Sequence, residues 1–346
     1  MSLLIAPKVL NWFDLHGRKD LPWQKHLLPY PVWVSEIMLQ QTQVTTVIPY
    51  FKRFMKRFPT VTDLAAANLD EVLALWTGLG YYARARNLHK TAIIIMRDWA
   101  GILPTRQSDL MTLPGIGRST AAAIAAICHG EAVAILDGNV KRVIARHFAI
   151  EGWPGQSSTL QALWTHAEAQ TPSERIADYT QAMMDLGATV CRVKHPACHA
   201  CPIRSSCNAK KTGRIDQYPG KKPKKVKPKK STVMLIVRTQ RGDIRLIQRP
   251  HHGIWGGLYS FPECQTDEFE AQLPSNAIGV IKLPTFKHQF THFELTIQPI
   301  LIDIKRRQDV SKIPNATWLR SNQPAAFGLS RPAERIIKIV TEFPLS

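Results

Sequence analysis

Four cysteines fall within 17 residues, in the pattern Cys191-x6-Cys198-x2-Cys201-x5-Cys207. No other feature limits the folding of this chain as much. A disulfide scaffold is excluded by scale: six cysteines cannot staple 346 residues, and 45% hydrophobic residues build a core without them. Two cysteine pairs that hold zinc are normally set farther apart, with a folded element between. Four thiolates in one tight loop suit a cubane iron–sulfur cluster, with zinc or four reduced structural thiols as the alternatives. Arg192, Lys194, His195 and Arg204 lie in the same loop, so it would meet phosphates once a metal shaped it. Cys128 and Cys264 stand outside the loop and read as ordinary thiols.

The charge balance asks for a polyanion. Lys and Arg total 45 against 26 acids, a formal net charge of +19. Seven of those lysines lie in Lys221–Lys230, and the remaining +12 is spread over the chain. The apolar runs are short and broken, so no helix is expected to span a membrane. Met1–Lys8 carries no targeting pattern, and a cytoplasmic location follows as the expectation.

Residues 1–213 read as helical. Apolar residues recur at three-to-four spacing in Val32–Leu39, Val44–Phe58, Leu69–Leu75, Leu88–Trp99 and Thr120–Cys128. Residues 214–230 read as a basic Lys/Pro linker, which repels itself and favours extended chain. Beyond it, Val233–Arg238, Ile244–Gln248 and Leu295–Ile304 read as strands, so residues 231–346 form a second, α+β domain.

Leu113-Pro114-Gly115-Ile116-Gly117-Arg118-Ser119-Thr120 joins two helical stretches, giving a helix-hairpin-helix over about 111–128. Glycine at 115 and 117 permits positive φ and close approach of a ligand. The N–H groups of the helix that starts at Arg118 then point into the turn, a sequence-neutral clamp for DNA phosphate. A plain glycine-rich connection is the alternative on the turn alone.

The hairpin, an aspartate 20 residues beyond Gly117 and the cysteine loop together resemble the endonuclease III superfamily of base-excision DNA glycosylases. The likeness extends to Leu21-Pro22-Trp23, to Glu36 through Thr42, to Gly78 through Leu88 and to Leu136 through Val140, and these motifs resemble its adenine-removing MutY branch. The resemblance implies an all-α glycosylase domain with a [4Fe-4S] cluster on Cys191, Cys198, Cys201 and Cys207. It also implies a monomeric, nucleoid-associated bacterial repair enzyme acting on double-stranded DNA. Members that cut the backbone carry a lysine nucleophile where this chain has Ser119, so the chain resembles the water-using, monofunctional branch. A pyrimidine-lesion glycosylase/lyase and a non-catalytic iron–sulfur DNA-binding regulator are the competing readings.

Glu36 lies in an apolar helix, where desolvation would let it hold a proton at neutral pH. Asp137 ends an apolar run as a helix cap or the start of a turn. By resemblance Glu36 is the general acid and then the base, Asp137 faces C1′ of the flipped nucleotide, and Asn139 and Ser119 stand beside them. Trp23 and Gln24 would line the adenine pocket. Gln41 and Tyr81 would wedge into the duplex, and Arg84 and Arg86, in an exposed-looking segment, would join Gly115, Gly117 and Arg118 on the phosphates.

Gly253 through Glu263 resembles the Nudix fold. The acidic run that binds magnesium in Nudix hydrolases is missing after it, so a binding domain without pyrophosphatase activity is expected. By resemblance, Phe290, Thr291 and His292 read 8-oxoguanine opposite the target adenine. The chain has threonine at 291 where many relatives have serine.

Overall fold

The computed structural model describes residues 4–25, 27–223, 226–320, 323 and 325–344. In chain order the first helices are α1 (Ala6–His16), α2 (Pro29–Leu39), α3 (Val44–Arg57), α4 (Val61–Ala66), α5 (Leu69–Trp76) and α6 (Ala83–Asp98). They are followed by α7 (Gln107–Leu110), α8 (Arg118–His129), α9 (Gly138–Phe148), α10 (Ser157–Gln170), α11 (Ile176–Asp185) and α12 (Asn208–Lys211). The strands are β1 (Lys229–Thr239), β2 (Asp243–Gln248), β3 (Tyr259–Ser260), β4 (Glu263–Cys264), β5 (Gly279–Lys282), β6 (Phe286–Gln289), β7 (Glu294–Ile304) and β8 (Ala316–Arg320), and α13 (Arg331–Glu342) closes the chain. Among the described residues no helix is long and apolar enough to cross a membrane.

The chain divides into two compact units, 1–66 with 87–224 and 67–86 with 225–346. The first is all helical. Its centre is α8, in which Ala121 through Ala126 are all buried. Small side chains let neighbouring helices come close, and α2, α7 and α11 pack on it. Helix α2 is apolar all round, as a central helix must be, and Glu36 is its single charged residue.

The second unit holds a mixed sheet in the order β3-β2-β1-β7-β5, with β4 on β1, β6 on β7 and β8 on β2. Strands β1 and β7 run parallel from Lys229↔Glu294 to Thr239↔Ile304. Arg238 and Asp303 are partners in that register. The buried Arg238 guanidinium donates from Nε and Nη2 to the Asp303 carboxylate at 2.7 and 2.9 Å, and to the carbonyls of Val340, in the last turn of α13, and of Phe343 and Pro344 just after it.

Both ends of the expected 214–230 linker have structure. Ile215 and Tyr218 are apolar enough to pack into the helical core, and Lys229–Lys230 opens β1. Segment 67–86, read as part of the helical region, groups with the strands.

Candidate active site and cysteine-lined cavity

Glu36 and Asp137 are close enough to interact electrostatically. Burial pushes the Glu36 carboxyl up to about 8, and the Asp137 charge adds to the shift. Among the described residues no hydrogen bond or ion pair neutralises Glu36, and its neighbours in α2 are Trp33, Ile37 and Met38, all buried. Asp137 is also raised by burial, but hydrogen bonds oppose the shift. It caps α9, accepting the Val140 N–H at 2.7 Å, and Asn139 Nδ2 donates to its other oxygen at 3.1 Å. One carboxyl therefore keeps its proton, while the other is held by donors that favour the charged form.

Ser119 Oγ accepts the Leu136 N–H at 3.2 Å, fixing the backbone that leads into Asp137. Trp23 is buried with its edge against Phe51, and Gln24 Oε1 accepts the Leu21 N–H. Cys128, on α8, is half-buried, and burial with the Glu36 charge holds its thiol up at about 12, so it is inert as a nucleophile.

Sequence reasoning missed Arg142. Its Nη2 donates to Asn139 Oδ1 at 2.9 Å and to Gly187 O at 2.6 Å, and its Nε donates to Cys191 O at 2.6 Å. A chain of hydrogen bonds thus runs from Asp137 through Asn139 and Arg142 to the first cysteine of the loop. The close approach depends on Gly187, since a Cβ there would lie 2.5 Å from Asn139 Cβ. The signal was present in α9: Arg142 and Arg146 follow Asn139 at i+3 and i+7, one helical face.

Cys191, Cys198, Cys201 and Cys207 line one cavity of about 30 Å³ with Arg146, Arg204 and Lys210. Arg146 is buried; it donates to Cys191 Sγ at 3.4 Å and to the carbonyls of Arg192, Val193 and Tyr218. Among the described residues no three His, Cys, Asp or Glu side chains converge on a single ion. Four soft sulfurs share one cavity under a guanidinium that suits a negatively charged group. Four thiolates of this kind suit a soft metal centre, of which an iron–sulfur cluster and zinc are the two that cysteine loops hold.

In the hairpin Gly115 has φ +80 and lies so near Asn87 that a Cβ would come within 2.7 Å. Gly117, in contrast, has ordinary negative φ and serves as the N-cap of α8; its open side would accept an approaching group. The Arg118 guanidinium stacks 3.8 Å from the Trp164 ring centroid and pairs with Glu168. Gln41 (φ +58) and Tyr81 (φ +49) are both exposed and both left-handed, a strained backbone that non-glycine residues rarely hold.

Arg84 is not exposed, as its segment suggested. It is buried and donates from Nη2 to Gly80 O at 3.0 Å, because the tight Gly78–Gly80 turn leaves carbonyls that need a donor. Arg86 is half-buried and donates to Gly256 O at 2.7 Å. Both arginines brace the second unit from within. Phe290, Thr291 and His292 form the tip of the β6–β7 hairpin, closed by Phe290 N–H on Phe293 O at 2.9 Å, with Thr291 and His292 exposed.

Residues 34–169 span Glu36, the hairpin and Asp137, and they match the family described as "HhH-GPD superfamily base excision DNA repair protein". Residues 232–338 match the NUDIX domain. A solved thermostable thymine-DNA glycosylase aligns with 60% of this chain and 95% of its own, at 26% identity and a TM-score of 0.55. Fold and site thus define a helix-hairpin-helix base-excision protein with a Nudix-like domain appended. The chain is 39% identical over 339 residues to the adenine DNA glycosylase of Buchnera aphidicola subsp. Schizaphis graminum, covering 96% of this chain and 97% of the relative. To the corresponding protein of Buchnera aphidicola subsp. Baizongia pistaciae it is 38% identical, with 99% and 98% covered. The chain belongs to the adenine DNA glycosylase family.

Proposed function

We propose that this chain is a monofunctional adenine DNA glycosylase that hydrolyses the N-glycosidic bond of adenine paired with 8-oxoguanine or guanine. The observation that carries the chemistry is the apolar setting of Glu36, where burial pushes its carboxyl up to about 8, beside the hydrogen-bonded Asp137. Glu36 donates its proton to N7 of the flipped adenine. The C1′–N9 bond then breaks, its electron pair goes to the base, and adenine leaves neutral. Asp137 stabilises the oxocarbenium ion at C1′. Glu36, now a carboxylate, takes a proton from water as the water adds to C1′, which restores the acid and leaves an abasic sugar. Asn139 holds Asp137 in place. Ser119 cannot form an imine, so the strand stays intact.

Gln41 and Tyr81 are assigned to the duplex, whose stack must be opened at a cost of a few kcal/mol. Gly115, Gly117 and the N–H groups of α8 are assigned to phosphate, with Arg118 beside them. Trp23 and Gln24 are assigned to the adenine pocket, and Phe290, Thr291 and His292 to the opposite base. Cys191, Cys198, Cys201 and Cys207 would hold a [4Fe-4S] cluster, which when bound supplies the cross-links that shape the loop. The enzyme acts as a monomer in the cytoplasm, on nucleoid DNA.

The test uses end-labelled duplexes with adenine opposite 8-oxoguanine or guanine, developed with and without hot alkali. Scission only after alkali is the expected result. Scission without alkali, or action only on oxidised pyrimidines, overturns the proposal in favour of a glycosylase/lyase, and binding without an abasic site leaves a regulator. Brown protein with a visible iron–sulfur band is expected; colourless protein holding zinc would remove the cluster.

A further inference from the structure

The tip of the β6–β7 hairpin is gripped from two sides. Below it lies Trp255, buried and held in a left-handed backbone (φ +54). Its ring centroid is 5.1 Å from that of Phe290 and 5.4 Å from that of His288. Arg249 lies over the same indole at 5.4 Å and is itself fixed by Glu263. Phe290 in turn stacks on Phe293 at 4.4 Å, so one aromatic column runs from the buried indole to the end of the hairpin.

From the other side comes the end of the lysine run. Lys227 Nζ donates to Phe290 O at 3.0 Å, and Lys230 Nζ lies 5.1 Å over the Phe293 ring. Pro228 O accepts the Glu294 N–H at 3.0 Å, where β1 begins to pair with β7. The backbone on either side of Thr291 and His292 is therefore fixed before any ligand arrives, while those two side chains stay exposed.

We propose that Trp255 and Lys227 are positioning residues that hold the Phe290-Thr291-His292 tip in the shape that reads the base opposite adenine. They are thereby specificity determinants for that base. The proposal rests on the reading of this tip as the opposite-base contact. Preorganisation saves the ordering cost of a loop at the moment of binding. Its loss falls on contacts that need a fixed geometry, which are hydrogen bonds to a base edge. Contacts to phosphate tolerate a looser tip, because they carry no base information.

The experiment compares single-turnover adenine excision opposite 8-oxoguanine and opposite guanine for the full chain and for W255A, W255F, K227A, K227R and the doubly changed T291A/H292A. In W255A the 8-oxoguanine-to-guanine rate ratio is expected to fall about tenfold, the size of one lost base contact. K227A should lower it severalfold. W255F should restore part of the ratio through its ring, and K227R most of it through its donor. Equal losses on both duplexes would reduce Lys227 to a phosphate contact and Trp255 to packing, and would overturn the proposal. An unchanged ratio in W255A and K227A, with T291A/H292A lowering it, overturns the proposal and leaves the tip as the reader. If T291A/H292A also leaves it unchanged, the reading of the tip fails instead. Lys227 is exposed, so K227A and K227R decide the matter even where W255A does not fold.

Discussion

Two carboxylates, Asp303 in the sheet unit and the half-buried Glu36 in the helical unit, are treated in opposite ways. Asp303 in the sheet meets a matched guanidinium fork, and Arg238 spends its remaining donors on carbonyls at the end of α13. Glu36 in the helical unit lies in α2 between the buried Trp33 and Ile37 and feels the like charge of Asp137. Burying a charge costs several kcal/mol unless it is paired, so the Asp303 arrangement is what a fold does for its own stability. The Glu36 arrangement weakens the fold and yields a carboxylic acid at neutral pH. The contrast separates a paired, structural carboxylate from one whose setting suits the proton transfer proposed for it.

The largest effect should come from Glu36→Gln. It removes the transferable proton, and excision should drop about 10²- to 10⁴-fold while duplex affinity is kept. Full activity in that variant would put Glu36 in the same class as Asp303. The wild-type rate should be flat at lower pH and fall about tenfold per unit as pH rises through about 8, where Glu36 ionises. Asp137→Asn removes the like charge, so its residual activity should begin to fall at lower pH. Stability follows the same sign. The folded chain holds the Glu36 proton more tightly than the unfolded chain, so this contribution is present at acid pH and lost through about 8. Glu36→Gln should then be more stable than wild type at pH 9, with the gap closing toward pH 5, read by urea unfolding.

On the paired side, Arg238→Met should destabilise the chain by about 3–5 kcal/mol, because it removes the guanidinium fork that pairs the buried Asp303 carboxylate. Adding Asp303→Leu should recover much of the loss. If neither changes the unfolding midpoint, the pair is not what holds the sheet to α13. Arg142→Ala sharpens the comparison from within the active site. Asp137 would keep its cap but lose the tether behind Asn139, and excision should slow by about 10²-fold with little change in melting temperature.

Much of this was legible in the sequence. The 3.6-residue period located α2, α3, α5, α6 and α8, and the β-rich runs located β1, β2 and β7. Glu36 stood out because a lone charge in an apolar helix is a local property. Arg142 did not, because its partners Gly187 and Cys191 lie 45 and 49 residues away. Burial of Arg84 was hidden for a related reason: the polar run Ala83–Asn87 looks solvated unless the carbonyls of the preceding turn are counted. The grouping of 67–86 with the strands was invisible too, since periodicity identifies α5 as a helix and says nothing of its company.

The parallel pairing of β1 with β7 bears on how the chain reaches this state. Arg238 and Asp303 are 65 residues apart, and no local turn can bring such partners together. Antiparallel hairpins such as β6–β7 can zip from their own loops on the microsecond scale, whereas a parallel ladder must wait for a long segment to close. Refolding of the sheet should therefore be limited by one late encounter, to which β6–β7 comes preformed. During that wait the unpaired edge of β1 begins with Lys229 and Lys230, whose like charges keep two unfinished chains from pairing with each other.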